Sequence, residues 1–210
     1  MDPAQTVDPN QHDRFILRQK FRFVVNEYVF SLPAADGESP GQPFCFVKQK
    51  AFEFKEDIRF YTDETRSTEL MRLKARQRFD PWARYEISAA DGSKIGEIQK
   101  VLGKSLLRSS YLLFDASGKE IAQATEKNLL VALFRRLVGF IPNLDSFANW
   151  LPIPYHFTFW RDGAELGIQR RQLWKFNDTY TIDFSNDPQR TVDRRLILAT
   201  TVGMDALQAR

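Results

Sequence analysis

Three stretches of this chain repeat one design. Tyr85–Lys100, Tyr111–Thr125 and Phe157–Arg171 each open on an aromatic residue, run as a strand, turn at a small pair and run back to a polar or basic end. The turns fall at Asp91-Gly92, Ser117-Gly118 and Asp162-Gly163. Such pairs accept the positive φ of tight hairpin turns. A weaker copy covers Ile58–Arg76, with its turn at Asp63–Thr65. Leu70, Ile95 and Ile121 are spaced by 25 and 26 residues, and Leu166 follows after 45 because an insertion intervenes. Repeated hairpins at this spacing predict a meander of antiparallel strands. The runs Phe15–Lys20, Arg22–Phe30, Phe44–Val47 and Ala51–Phe54 add further strands, separated by a Pro- and Gly-rich loop from Pro33 to Pro43. The chain has room for about twelve strands, and that many twisted strands close into a barrel or split into two sheets.

Two segments break the period of two. Leu129–Ile141, inside the insertion at about 127–147, puts Leu130, Leu133, Phe134, Leu137, Phe140 and Ile141 on one helical stripe. Near the C-terminus, Leu196–Met204 carries no charge and is apolar on every side. A helix of that kind is buried in protein or in membrane, and nine residues are too few to span a bilayer. A wide barrel needs its interior filled. The expected fold is therefore mainly β: a closed antiparallel barrel of about twelve strands around a buried hydrophobic C-terminal helix at about 193–207. The domain reading is a flexible tail, 1–13, followed by one barrel domain, 14–210.

Composition narrows the function. One Cys and two His among 210 residues exclude a disulfide framework and a multi-Cys zinc site. No apolar run reaches eighteen residues, and the N-terminus lacks the pattern of a signal peptide, so the expected location is cytoplasmic, with peripheral membrane contact as an option. A net charge of +3 does not announce a nucleic-acid binder. Catalytic signals are thin. His12 lies in the tail and His156 opens a strand, without a recognisable partner. Cys45 sits between Phe44 and Phe46, a setting for an inert thiol. Gly103-Lys104-Ser105 lacks the upstream glycine of a phosphate loop, because position 98 is Ile. The chain is expected to be non-enzymatic and to need no cofactor or metal.

One pattern suggests binding. In Met71-Arg-Leu-Lys-Ala-Arg-Gln-Arg-Phe79, strand alternation puts Arg72, Lys74, Arg76 and Arg78 on one face, with Met71, Leu73 and Ala75 on the other. Four cations on one face suit phosphorylated headgroups. The same face would be ordinary solvated surface if acidic neighbours such as Glu53, Glu56 or Glu97 paired with it. Lys48, Lys50, Lys100, Lys104, Arg108, Arg170 and Arg171 would extend the patch only if their strand ends share a rim. Arg135 and Arg136 flank the stripe that holds Leu133 and Phe134, as in helices that lie on membranes. A helix packed on the barrel mouth would show the same pattern.

A barrel of repeated hairpins that ends in a hydrophobic helix resembles the Tubby C-terminal-like fold. The chain is most similar there to the phospholipid scramblase and LURP-one-related group. Phe15-Ile-Leu-Arg-Gln-Lys20, the Asp91-Gly92 and Ser117-Gly118 hairpins, Tyr180-Thr-Ile-Asp-Phe184 and Asp193-Arg-Arg-Leu-Ile-Leu198 carry the likeness. The resemblance implies twelve strands around a central helix and no catalytic site. It also implies anionic phospholipid or phosphoinositide binding, as in Tubby relatives, or calcium-dependent lipid translocation, as in scramblases. A protein-interaction domain without a lipid role is the third reading. The chain departs from the scramblase pattern in lacking a cysteine cluster and a long Pro-rich N-terminal region. The stretch Asp183–Asp193 also has three carboxylates and no Glu, a poor set for calcium.

Overall fold

A computed structural model of the chain describes residues 7–21, 25–50, 57–75, 84–101, 110–126, 156–172 and 178–208. All four copies of the repeat are hairpins: β4 (Asp57–Tyr61) with β5 (Glu69–Ala75), β6 (Arg84–Ala89) with β7 (Lys94–Val101), β8 (Ser110–Asp115) with β9 (Glu120–Glu126), and β10 (His156–Arg161) with β11 (Ala164–Gln172). β1 (Arg14–Phe21), β2 (Val25–Pro33), β3 (Pro40–Lys50) and β12 (Asp178–Asp183) complete the set. Every strand pairs antiparallel with its neighbours in sequence. β1 also pairs with β12, Arg14 opposite Asp183 and Gln19 opposite Asp178, which closes a twelve-stranded barrel. Closure leaves no sheet edge to template aggregation.

Alternation decides what faces inward. Leu17, Phe30, Cys45, Met71, Ile87, Ile98, Leu113, Phe159 and Ile182 come from nine different strands and are all buried in one apolar core. Burial pushes the Cys45 thiol well above its ordinary pKa, so it stays a protonated core side chain. The core closes around α1 (Arg194–Gln208), in which every residue from Leu196 to Met204 is buried. The hydroxyls of Thr200 and Thr201 donate to the Leu196 and Leu198 carbonyls at 2.7 and 2.8 Å, so the helix carries them into the core without orphaned donors. Its first turn passes close to β7. A Cβ on Gly96 would collide with the Phe114 carbonyl and lie 3.1 Å from Leu196 Cδ2.

A buried arginine fixes where α1 enters. Arg194 is fully buried. It donates to Asp187 Oδ2 at 2.8 Å, to Asp13 Oδ1 at 2.9 Å, and to the Asp187 and Val192 carbonyls at 2.8 and 3.1 Å, while stacking 5.2 Å over Phe184. Asp193 caps the helix by accepting the Arg195 N–H at 2.8 Å, and Asn10 accepts the Arg194 N–H at 2.7 Å. Residues from Asp8 to Asp13 are therefore tied down, against the expectation of a flexible tail through 13. A one-turn 3-10 helix, Pro9–Gln11, buries Pro9 and seats Asn10 on the helix end.

Strand direction now defines two rims. The entry rim, where α1 begins, carries the connections 34–39, 62–68, 90–93, 116–119, 162–163 and 184–193. At the exit rim, toward which α1 points its C-terminus, lie the strand ends that bracket 22–24, 51–56, 76–83, 102–109, 127–155 and 173–177. The loop expected over Pro33–Pro43 is shorter than the breakers implied. Pro33 pairs with Pro40 and Ser31 with Pro43, across two register shifts. Proline is tolerated at a strand start and at bulges. The insertion at 127–147 and the run Ala51–Phe54 lie outside the described residues.

Removing one partner of a buried ion pair leaves an uncompensated charge. Asp187→Ala should lower stability by about 3–5 kcal/mol, a fall in Tm of roughly 6–20 °C for a chain of this size. Burial works against the charge on Asp187, but hydrogen bonds from Arg194 and Thr191 outweigh it and hold the carboxyl below its ordinary value. A depressed native pKa gives stability that is complete above the unfolded value and lost as pH falls through the native one. Thermal unfolding should therefore show Tm falling below about pH 4, with a shallower acid slope in Asp187→Asn. An unchanged slope would exclude this carboxylate as the source.

Candidate functional site

The basic strand is β5, and its alternation is as the sequence predicts. Met71 and Leu73 are buried, Arg72 is half-buried and Lys74 is exposed on the outer face. Across the sheet, Arg72 lies between Arg59 of β4 and Ser88 of β6, and Lys74 lies between Asp57 and Glu86. Arg72 grips Asp57 bidentately with one guanidinium edge, Nε donating to Oδ1 at 2.5 Å and Nη2 to Oδ2. The Arg72 hydrogen bond is the largest influence on Asp57. It outweighs burial and holds that carboxyl below its ordinary value. Arg59 lies 3.8 Å from both Asp57 and Glu69.

The acidic partner is therefore Asp57, which the sequence reading did not single out. Glu97 is engaged elsewhere. It is buried, with Lys94 at 2.6 Å and Arg84 at 3.2 Å, and Arg84 stacks 4.1 Å over Phe114. Glu53 and Glu56 lie outside the described residues, as do Arg76, Arg78, Arg135, Arg136, Leu133 and Phe134. The signal for Asp57 is register. A hairpin turn centred on 63–66 brings 57 opposite 74, but the shift between Phe60 and Tyr61 hides that pairing from a simple count.

The strand ends do share a rim. Six strands run toward the exit rim, and five carry a cation within their last three residues: Lys20 in β1, Lys48 and Lys50 in β3, Lys74 in β5, Lys100 in β7, and Arg170 and Arg171 in β11. Lys48 lies 3.8 Å from Glu27, and Arg171 is paired with Asp178. Lys104 and Arg108 fall outside the described residues. The two sets of connections differ sharply in composition. Those bracketed at the exit rim contain ten Lys or Arg, four Asp or Glu, and twelve aromatic residues. Those at the entry rim contain three Lys or Arg, eight Asp or Glu, and one aromatic residue.

The carboxylates of 183–193 diverge rather than converge. Asp183 pairs with Arg14 at 3.1 Å, Asp187 with Arg194 at 2.8 Å and Asp193 with Arg195 at 2.7 Å. Among the described residues no group of three or more His, Cys, Asp or Glu is placed to hold a metal ion, and no helix is long and apolar enough to cross a membrane.

Twelve strands closed around one C-terminal helix define a Tubby-like barrel. The LURP-one-related family model matches residues 45–205, and the chain belongs to that family, a branch of the Tubby-like barrel superfamily. Among solved structures, an X-ray structure of an Arabidopsis thaliana protein aligns over 98% of this chain and 99% of its own, with a TM-score of 0.51 and 12% identity. At that identity the likeness shows the fold alone. No curated protein matches the sequence.

A partly exposed bidentate pair contributes modestly. Arg72→Ala should cost about 0.5–1 kcal/mol, less at high salt, and Lys74→Ala almost nothing. A double-mutant cycle of Arg72 and Asp57, read by denaturant unfolding, checks this. A coupling energy near zero would mean that the pair does not organise this face.

Proposed function

We propose that the protein is a non-enzymatic barrel module that docks its exit rim on membranes containing anionic phospholipid or phosphoinositide. One observation carries the reading: cations and aromatic residues concentrate in the connections of one rim, and carboxylates in those of the other. Lys and Arg near an anionic leaflet contribute about 1 kcal/mol each. Aromatic side chains settle at the headgroup level, where one end is apolar and the other wet. A barrel polarised this way is drawn to a negative surface in one orientation.

Within this reading Lys74, Arg76 and Arg78 engage headgroups. Arg135 and Arg136 add charge beside Leu133 and Phe134, which supply apolar contact. Arg72 is spent largely on Asp57 and acts as the clamp that orders the strand. The module binds without a cofactor, and its setting is the cytoplasmic face of a membrane. Lipid translocation would require more. α1 would have to leave the barrel, exposing every residue from Leu196 to Met204 and stripping Arg194 of its partners. The family and fold support a barrel scaffold, and the rim asymmetry supports the membrane.

Co-sedimentation with vesicles tests it. Wild-type protein should bind vesicles containing phosphatidylserine or a phosphoinositide, bind neutral phosphatidylcholine weakly, and release as salt rises. The triple charge reversal Lys74→Glu, Arg76→Glu, Arg78→Glu should weaken binding by at least roughly tenfold, whereas Lys119→Glu at the entry rim should not. Equal binding to neutral and anionic vesicles, or none to either, would favour the protein-interaction reading.

A further inference from the structure

The entry rim carries a groove of about 570 Å³, within the range of small-molecule sites. The β8–β9 turn forms one wall, with Lys119 and Glu120. Trp160 and the Asp162-Gly163 turn form the other, and Gln123 lies between. Trp160 is the exposed large apolar side chain among the described residues, at 36%. It follows a register shift between Phe159 and Trp160 on the β11 side, while it pairs regularly with Gln123 on the β9 side. A single exposed indole is unremarkable. This one, turned outward by the alternation of β10, lines a polar groove between two hairpin turns.

The walls are held before any ligand arrives. Arg161 donates to the Ile121 carbonyl and to Thr191 Oγ1, both at 2.6 Å, joining β10, β9 and the segment before α1. Asp115 Oδ1 accepts the backbone N–H groups of Ser117 and Lys119 at 2.9 and 3.0 Å, which fixes the opposite turn. Asp162 and Gly163 both adopt positive φ, at 49° and 82°, in the tight two-residue turn of a hairpin. A preformed site loses little entropy on binding.

The chemistry of the lining selects a ligand class. Asp115, Glu120 and Asp162 line the groove together with Lys119 and Arg161, so neither a polyanion nor a polycation is favoured. Mixed donors and acceptors suit hydroxyl groups, which both donate and accept. The indole face is electron-rich and attracts the C–H edges of an apolar ring face. We propose that this groove binds a neutral saccharide, with one pyranose ring stacked on Trp160 and its hydroxyls bonded to Glu120, Gln123 and Asp162. The site is independent of the basic rim and lies at the opposite end of the barrel.

Nuclear magnetic resonance of the full chain provides the test. The Trp160 indole N–H signal is identified by its loss in Trp160→Phe, and the protein is titrated with glucose, galactose, mannose, N-acetylglucosamine and their short oligomers. At least one sugar should shift the Trp160 indole and the Gln123 amide together and saturably. Gln123→Ala should weaken that binding by roughly tenfold, and Trp160→Ala should abolish it. Trp160 and Gln123 lie on the outer surface, so folding of both variants is confirmed from their spectra. No shift with any sugar, binding unchanged in Trp160→Ala, or shifts elicited only by inositol phosphates or charged peptides would overturn the proposal.

Discussion

The fold depends on one buried cation. A barrel of twelve strands encloses more space than its own inward side chains can fill, so a helix must occupy it. An apolar helix has no intrinsic reason to stop at one depth. Arg194 supplies that reason. Its guanidinium is buried at the entry rim, and it is stable there only while Asp187, Asp13 and the nearby carbonyls accept its hydrogen bonds. Sliding or rotating α1 would strand a charge in the core. The same contacts recruit the segment from Asp8 to Asp13, so the first residues of the barrel and the last element of the chain are locked together.

With the helix fixed, the two ends of the barrel become chemically different. The acidity of the entry rim has a structural cause. Asp36, Asp63, Asp91, Asp115, Asp183 and Asp187 each accept backbone N–H groups within their own turns. Short turns call for that side chain. The exit-rim connections are instead basic and aromatic in composition. The proposed membrane contact rests on that one-sided composition.

Much of the architecture was legible in the residues. Hairpin turns at Asp91-Gly92, Ser117-Gly118 and Asp162-Gly163 set the meander, and the uncharged run Leu196–Met204 announced a helix buried on all sides. Both are local periodicities. Long-range pairings were not legible. Nothing near Arg194 in sequence shows that Asp13, 181 residues away, is one of its partners. Asp57 is hidden as the partner of Arg72 by a bulge, and Pro40 begins a strand although it reads as part of a loop. The shared rim of the basic strand ends follows from the parity of an up-and-down barrel, which is certain only once β1 is seen to pair with β12.

The most direct test of the central claim is orientation on a bilayer. Fluorophores are attached to single cysteines at Ser110, on the exit rim, or Ser117, on the entry rim, in a Cys45→Ala background. Anionic vesicles containing a spin-labelled lipid then quench whichever probe approaches the headgroups. The account predicts strong quenching at 110 and little at 117. Quenching at 117 alone, at both positions equally, or at neither would contradict it.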